Sequence, residues 1–176
     1  MIICRTPYRI SFFGGGTDHP NWYRDNESII LSTTFNKYCY VNLRNLPPYF
    51  KFRYRLRYFL TEQVSKISQI RHPVIREVLK LKKYDQGIEM IHSGDIPARS
   101  GVGSSSSFTV GFLNAINTQM GYFASKRELA LRAIDIEQNI LKENIGSQDQ
   151  IAAAFGGFNQ INLKGNNFNV NCINEK

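Results

Sequence analysis

The chain has 176 residues, 42% of them hydrophobic, and a formal net charge of +8 at neutral pH. That length suits one domain, at most one and a half, and that apolar content builds a core and argues against wholesale disorder. No apolar run approaches the roughly 18 residues of a membrane span, no basic-then-apolar leader opens the chain, and the positive balance favours anionic partners, phosphorylated small molecules or nucleic acid.

In chain order, residues 2–13 read as one or two strands broken at Pro7. Gly14-Gly15-Gly16-Thr17-Asp18 is a loop whose glycines suit close approach of backbone to a ligand. Asp18 can accept hydrogen bonds from sugar hydroxyls, and Arg9 can steady a phosphate or a catalytic aspartate; a flexible turn and a surface arginine explain the same residues. Residues 28–44 are β-branched and aromatic and read as two strands with a turn near Asn36-Lys37, stopped by Pro47-Pro48. Over 51–60, Lys51, Arg53, Arg55 and Arg57 alternate with Phe52, Tyr54, Leu56 and Tyr58. That pattern is a half-buried strand with a basic outer face, which either attracts a phosphorylated sugar or protects a sheet edge by charge. The same alternation fits nucleic acid less well, because a nucleic-acid surface leaves the acidic residues discussed below unexplained.

A helix follows His72-Pro73, with Pro73 at its first position and Val74, Val78, Leu79 and Leu81 as its apolar stripe. A strand over Ile88–His92 leads into a glycine-serine turn. Helices are expected at 105–120, at 126–142 and from Ser147, then strands at 158–163 and 168–173. Cys4, Cys39 and Cys172 are scattered through strand-like segments with no CxxC pair, which reads as reduced cytosolic thiols. His19, His72 and His92 complete no zinc-ligand spacing.

The richest segment runs from Ser93 to Ser107. Two glycines and a run of serines form a sharp turn, and Phe108, Phe112, Ala115 or Ile116, and Met120 then recur at helical spacing. A glycine turn opening into a helix gathers free backbone amides at the positive end of the helix dipole. Such a place takes a phosphate, with hydroxyls beside it for phosphate oxygens or a metal. The GxxxxGK[ST] pattern of P-loop proteins is absent. A glycine turn with a serine cap is the plainer explanation.

Two acids stand in unusual company. Glu137 shares the apolar stripe of Leu129, Ala130, Ala133, Ile134, Ile140 and Leu141, where an unpaired carboxylate is costly. It either needs a cation or donors, or sits at the stripe's edge, or pairs with Arg132 or Lys142. Asp149 falls in the first turn of a helix that Ser147 can cap. There it is either ordinary helix-start chemistry or a general base aimed into a cleft.

Three stretches together resemble the GHMP kinases, the family of galactokinase, homoserine kinase and mevalonate kinase. Pro7 to Asp18 is similar to the family's substrate-side motif. Pro97 to Ser107 is similar to its ATP-binding motif P-x-x-x-G-L-G-S-S-A, with Val102 in place of Leu. Gly146-Ser147-Gln148-Asp149-Gln150 is similar to the segment with the catalytic aspartate. Within the family, the Gly-Gly-Gly-Thr-Asp and Pro-Ala-Arg-Ser-Gly forms resemble the branch that phosphorylates D-glycero-D-manno-heptose 7-phosphate.

The resemblance implies an α+β fold, the N-terminal domain of the GHMP kinase fold, in which a mixed sheet packs with helices. It implies ATP and Mg²⁺ as cofactors, a sugar or sugar-phosphate substrate and a cytoplasmic enzyme with no membrane association. Pro97, Gly101, Val102, Gly103, Ser104, Ser105 and Ser106 would bind the nucleotide. Ser105 and Glu137 would hold the metal, and Asp149 with Arg9 would be catalytic. Gly15, Gly16, Thr17 and Asp18 would face the substrate. Family members run to about twice this length, so residues 1–176 are expected to be the ATP-binding domain, incomplete at its C-terminus, with the C-terminal domain absent. A partner supplying that half, or a role in binding without catalysis, is the alternative.

Overall fold

The computed structural model describes residues 1–98 and 100–173. Seven strands form one mixed sheet: β1 (Ile2–Phe13), β2 (Ser28–Asn45), β3 (Tyr54–Arg57), β4 (Thr61–Val64), β5 (Ile88–Gly94), β6 (Phe158–Lys164) and β7 (Asn167–Cys172). Their order is β4-β3-β5-β2-β6-β7, and β1 also pairs with β2. All pairs are antiparallel except β3 with β5. The helices are α1 (Pro20–Tyr23), α2 (Pro73–Leu81), α3 (Ser104–Gln119), α4 (Lys126–Ile134) and α5 (Gln148–Phe155). The α+β architecture is as expected.

β2 organises the sheet. Residues 28–44 are one strand, not two. Along its length β2 pairs with β6 through Ser28–Thr33 and with β5 through Cys39–Asn45. The expected turn at Asn36-Lys37 is instead an irregularity: Pro7 faces Tyr38 but Arg9 faces Thr34, so β2 holds the extra residues as a bulge. β1 likewise passes through Pro7 without breaking.

The basic alternation is half right. Tyr54 and Leu56 are buried and Arg57 is exposed, but the strand spans only Tyr54–Arg57. β3 is not an edge, because β4 covers it on one side and β5 on the other. Arg55 binds Glu89 on neighbouring β5, which also binds Arg44 of β2, so one of the four basic residues is paired within the sheet.

Two apolar layers hold helices to the sheet. Val74, Ile75, Val78 and Leu79 of α2 and Phe108, Phe112 and Ile116 of α3 pack on Val41, Leu43, Leu56, Ile88 and Met90. Ala130 of α4 and Ile151 and Ala152 of α5 pack with Ile30, Ile161, Leu163 and Phe168. Leu81, expected in the α2 stripe, is 54% exposed; Ile75 takes the buried place. Met120, just past the end of α3, is also half exposed.

Phe112 is fully buried and stacks on Phe108, whereas Phe123 is 81% exposed. Phe112→Ala is expected to cost about 3–5 kcal/mol. Phe123→Ala should change stability by no more than about 0.5 kcal/mol. Urea unfolding of the two variants measures the contrast.

Candidate active site

The glycine turn, the substrate-side loop and the start of α5 converge on one cleft of about 400 Å³. Arg9, Gly16, Asp18 and His19 line it from the N-terminal side. Gly101, Gly103, Ser104, Ser105 and Ser106 line it from the turn and α3. Glu143 to Gly146, Gln148, Asp149 and Gln150 line it from the far side. None of Lys51, Arg53, Arg55 and Arg57 is among the lining residues.

The turn is built as the glycines require. Gly101 and Gly103 have φ of +74° and +73°, in the left-handed region that favours glycine. Gly103 is the N-cap of α3, with no side-chain cap. A Cβ at Gly103 would lie 3.2 Å from Asp149 Oδ2 and 3.3 Å from Arg9 Cγ, so the missing side chain also makes room for the pair below it. The free amides at the start of α3 thus face the cleft beside exposed Ser105 and half-exposed Ser104. Pro97 and Val102 lie outside the cleft wall. Val102 packs on the core, and its carbonyl accepts from the Arg9 amide.

Arg9 and Asp149 form the central ion pair. Arg9 Nε donates to Asp149 Oδ1 at 2.7 Å and Nη2 approaches the same oxygen at 2.6 Å. Nη1 donates to the Gly101 carbonyl at 2.7 Å, tying strand, turn and helix together. Burial pushes the Asp149 carboxyl above its ordinary value. The Arg9 charge and hydrogen bond pull it down, and the Asp18 charge pushes it up again. The net result is a carboxylate of raised proton affinity facing a cleft.

Glu137 has no exposed surface. Ser106 Oγ donates to it at 2.8 Å, and Thr109 Oγ1 and Gln150 Nε2 also donate to it. Neither an exposed edge nor a salt bridge with Arg132 or Lys142 describes it. Burial drives its pKa up despite the three donors, and the Glu143 charge adds to the rise. The segment that carries it, Asp135–Ile140, is a π-helical turn continuing α4. Behind it Leu141 N bonds back to Ile136 O and Glu143 N to Glu137 O. Thr109 and Gln150 were not anticipated from sequence. Their signal was there: a glutamine directly ahead of the Ile151–Ala154 run, and a threonine one turn beyond Ser105 and Ser106.

Among the described residues no group of three or more His, Cys, Asp or Glu forms a ready metal cage. Mg²⁺ does not need one, because it takes one or two carboxylates and completes its shell with water and phosphate oxygens. A buried carboxylate with raised proton affinity beside serine hydroxyls is a hard oxygen donor set. Glu137 and Ser106 could supply oxygens to such an ion, and Ser105 is the neighbouring hydroxyl expected to join them. The hydroxyl bonded to Glu137 is that of Ser106; Ser105 stands at the surface of the cleft.

In the substrate-side loop, Gly16 and Asp18 border the cleft, whereas Gly15 and Thr17 do not. Thr17 Oγ1 instead holds the Gly14 carbonyl and the Ser28 hydroxyl. Ser147, expected to cap α5, makes no such bond.

Known proteins share this fold. The family profile described as GHMP kinases N terminal domain matches residues 70–157. A D-glycero-alpha-D-manno-heptose 7-phosphate kinase of Campylobacter jejuni is 30% identical over 94% of this chain and 51% of its own length. The crystal structure of a D-glycero-D-manno-heptose 1-phosphate kinase from Bacteroides thetaiotaomicron superposes with a TM-score of 0.89 at 25% identity, over 100% of this chain and 61% of that one. Streptococcus pneumoniae phosphomevalonate kinase, solved with phosphomevalonate and AMPPNP, shares the fold with a TM-score of 0.73 at 13% identity, over 93% of this chain and 50% of that one. The chain belongs to the GHMP kinase family. It spans about half the length of the curated relative it matches.

Because the folded state raises the Glu137 pKa above its ordinary 4.5, the folded chain keeps a proton that the unfolded chain releases. Stability from this group is therefore fullest at low pH and falls as pH rises through the folded-state value. In metal-free buffer between about pH 4 and about pH 7, Glu137→Gln should flatten the decline in melting temperature. Glu143 and Asp149, shifted the same way, will leave a residual slope.

Proposed function

We propose that residues 1–176 are the ATP-binding N-terminal domain of a kinase that transfers the γ-phosphoryl group of ATP to a hydroxyl of a sugar or sugar phosphate. The names of the relatives favour a heptose phosphate, with D-glycero-D-manno-heptose 7-phosphate as the first choice. The observation that carries this reading is the meeting of free amides at a left-handed glycine turn and an Arg–Asp pair at one cleft, with the buried Glu137 behind its wall, bonded to Ser106 and Gln150 of the lining.

Each residue has a role in that chemistry. The amides from Gly101 to Ser106 cradle nucleotide phosphates at the N-terminus of α3. Asp149 accepts the proton of the substrate hydroxyl at a carboxylate oxygen, and Arg9 keeps that carboxylate ionised and fixed in direction. Gly16 and Asp18, the two loop residues on the cleft wall, border the acceptor sugar. Glu137 and the serine hydroxyls hold Mg²⁺, which when bound neutralises charge on phosphate oxygens. Positioning and electrostatic complementarity then supply most of the rate enhancement. No helix among the described residues is long and apolar enough to cross a membrane; a cytoplasmic site of action is part of the same proposal.

The coverage of about half of each relative favours a second reading for the isolated chain, nucleotide and sugar binding without turnover. Wherever the reacting groups stay open to water, electrostatic stabilisation is weaker.

Thermal-shift titration with Mg-ATP and a panel of sugars and sugar phosphates should raise the melting temperature through mass action. An ADP-release assay on the same mixtures measures transfer. Asp149→Asn should lower transfer by about 10²–10⁴-fold while the Mg-ATP thermal shift persists. No Mg-ATP shift in the parent chain rejects the reading. Binding without ADP release supports the second one.

A further inference from the structure

Helix α5 carries Asp149 in its first turn, yet its own cap residue does not serve it. The Ser147 hydroxyl bonds instead to Tyr23 Oη and Gln138 Nε2. The service comes from 130 residues earlier in the chain. Asp18 Oδ2 accepts from the Gln148 amide at 3.2 Å, and Oδ1 accepts from the Gly16 amide at 3.1 Å. The Asp18 carbonyl accepts from the Ser147 amide at 2.9 Å. Asp18 is 3% exposed, so these bonds hold a buried charge. They also oppose its negative charge to the positive end of α5.

Gly146 shows how closely the two segments fit. Its backbone is not left-handed, so conformational freedom does not explain the glycine. A Cβ there would lie 1.8 Å from Asp18 Oδ2. Any side chain at 146 would displace the Asp18 carboxylate.

We propose that Asp18 is a positioning residue for Asp149: it ties the glycine loop to the first turn of α5 and so sets the direction in which Asp149 enters the cleft. This rests on the reading of Asp149 as the proton acceptor. It also gives the two distant motifs a shared purpose. The Gly-Gly-Gly-Thr-Asp loop supplies the anion, and the Gly-Ser-Gln-Asp segment supplies the amide that receives it and the glycine that leaves it room. Arg9 grips Asp149 from the opposite side, so the carboxylate is held between a direct ion pair and an indirect backbone clamp.

The test is nuclear magnetic resonance on the full 176-residue chain, with Asp18→Asn, Asp18→Ala and Gly146→Ala. One readout is hydrogen exchange at the Gln148 amide. The other is the Arg9 Nε–H signal, which reports the bond to Asp149; none of the Arg9 bonds described above goes to Asp18. Asp18→Ala should speed Gln148 exchange by about tenfold or more and shift or broaden the Arg9 Nε–H signal. Asp18→Asn, which keeps one acceptor, should give a smaller change. Gly146→Ala should reproduce the Ala result with Asp18 intact, and it decides the matter if Asp18→Ala does not fold. Signals from α2 serve as the control for global folding. Unchanged Gln148 exchange and an unchanged Arg9 signal overturn the proposal, even if sugar affinity falls, and leave Asp18 as a substrate ligand alone. Because neither readout needs turnover, a failure of the kinase reading in the ADP-release assay is seen separately.

Discussion

The Arg9 guanidinium is the junction on which the site depends. It leaves β1, passes under the left-handed turn at Gly101–Gly103 and ends on Asp149 of α5, with one further bond to the Gly101 carbonyl. Three segments far apart in the chain are thereby held to one charge. A partly buried pair of this kind loses solvation on both sides, so its value lies less in stability than in fixing geometry. Leaving Asp149 without Arg9 would strand a carboxylate already raised in proton affinity by burial. It would then stay protonated to higher pH and lose the ionised form that a proton acceptor needs.

Glu137 solves a different problem with different means. It has no cationic neighbour among its hydrogen-bond partners, only two hydroxyls and an amide from three separate positions. Hydrogen bonds alone do not offset the loss of water, which is why its proton affinity remains raised. The cleft beside it is rich in acids: Asp18, Glu143 and Asp149 border it with Arg9 and His19. A nucleotide polyanion entering alone would face this charge unfavourably, and a metal–nucleotide complex carries less negative charge into it. On the proposed reading the free amides of α3 would serve the phosphates, and the carboxylates would serve the cation.

Much of this was legible in the sequence, for reasons that separate cleanly. Helical periodicity placed α3 and α5 within a residue or two, because their apolar stripes are long or bounded by glycine. An acid on an apolar stripe drew attention to Glu137, though the stripe alone left a buried carboxylate, an exposed edge and a salt bridge open. What was not legible depended on pairing across the fold. β2 is continuous because β1 runs along both of its halves and steps across the Asn36-Lys37 irregularity, where the local residues look like a turn. The capping of α5 by Asp18 is invisible locally, since Ser147 is a good cap by type and is diverted by Tyr23 and Gln138. Leu81 matched the stripe of α2 yet lies at its last turn, past the sheet that would cover it.

The π-helical turn at Asp135–Ile140 has a consequence for how this protein can change over time. Such a turn accommodates one residue more than a regular helix does. Deleting Asp135 or Ile136 would restore ordinary α geometry and leave the flanking turns near their present faces, but Glu137, moved one place along the turn, would change face by about 100°. Its carboxylate would then part from Ser106, Thr109 and Gln150. A one-codon loss that improved the local hydrogen bonding would therefore disarm the site, so lineages retaining this chemistry must carry the imperfect helix forward unrepaired.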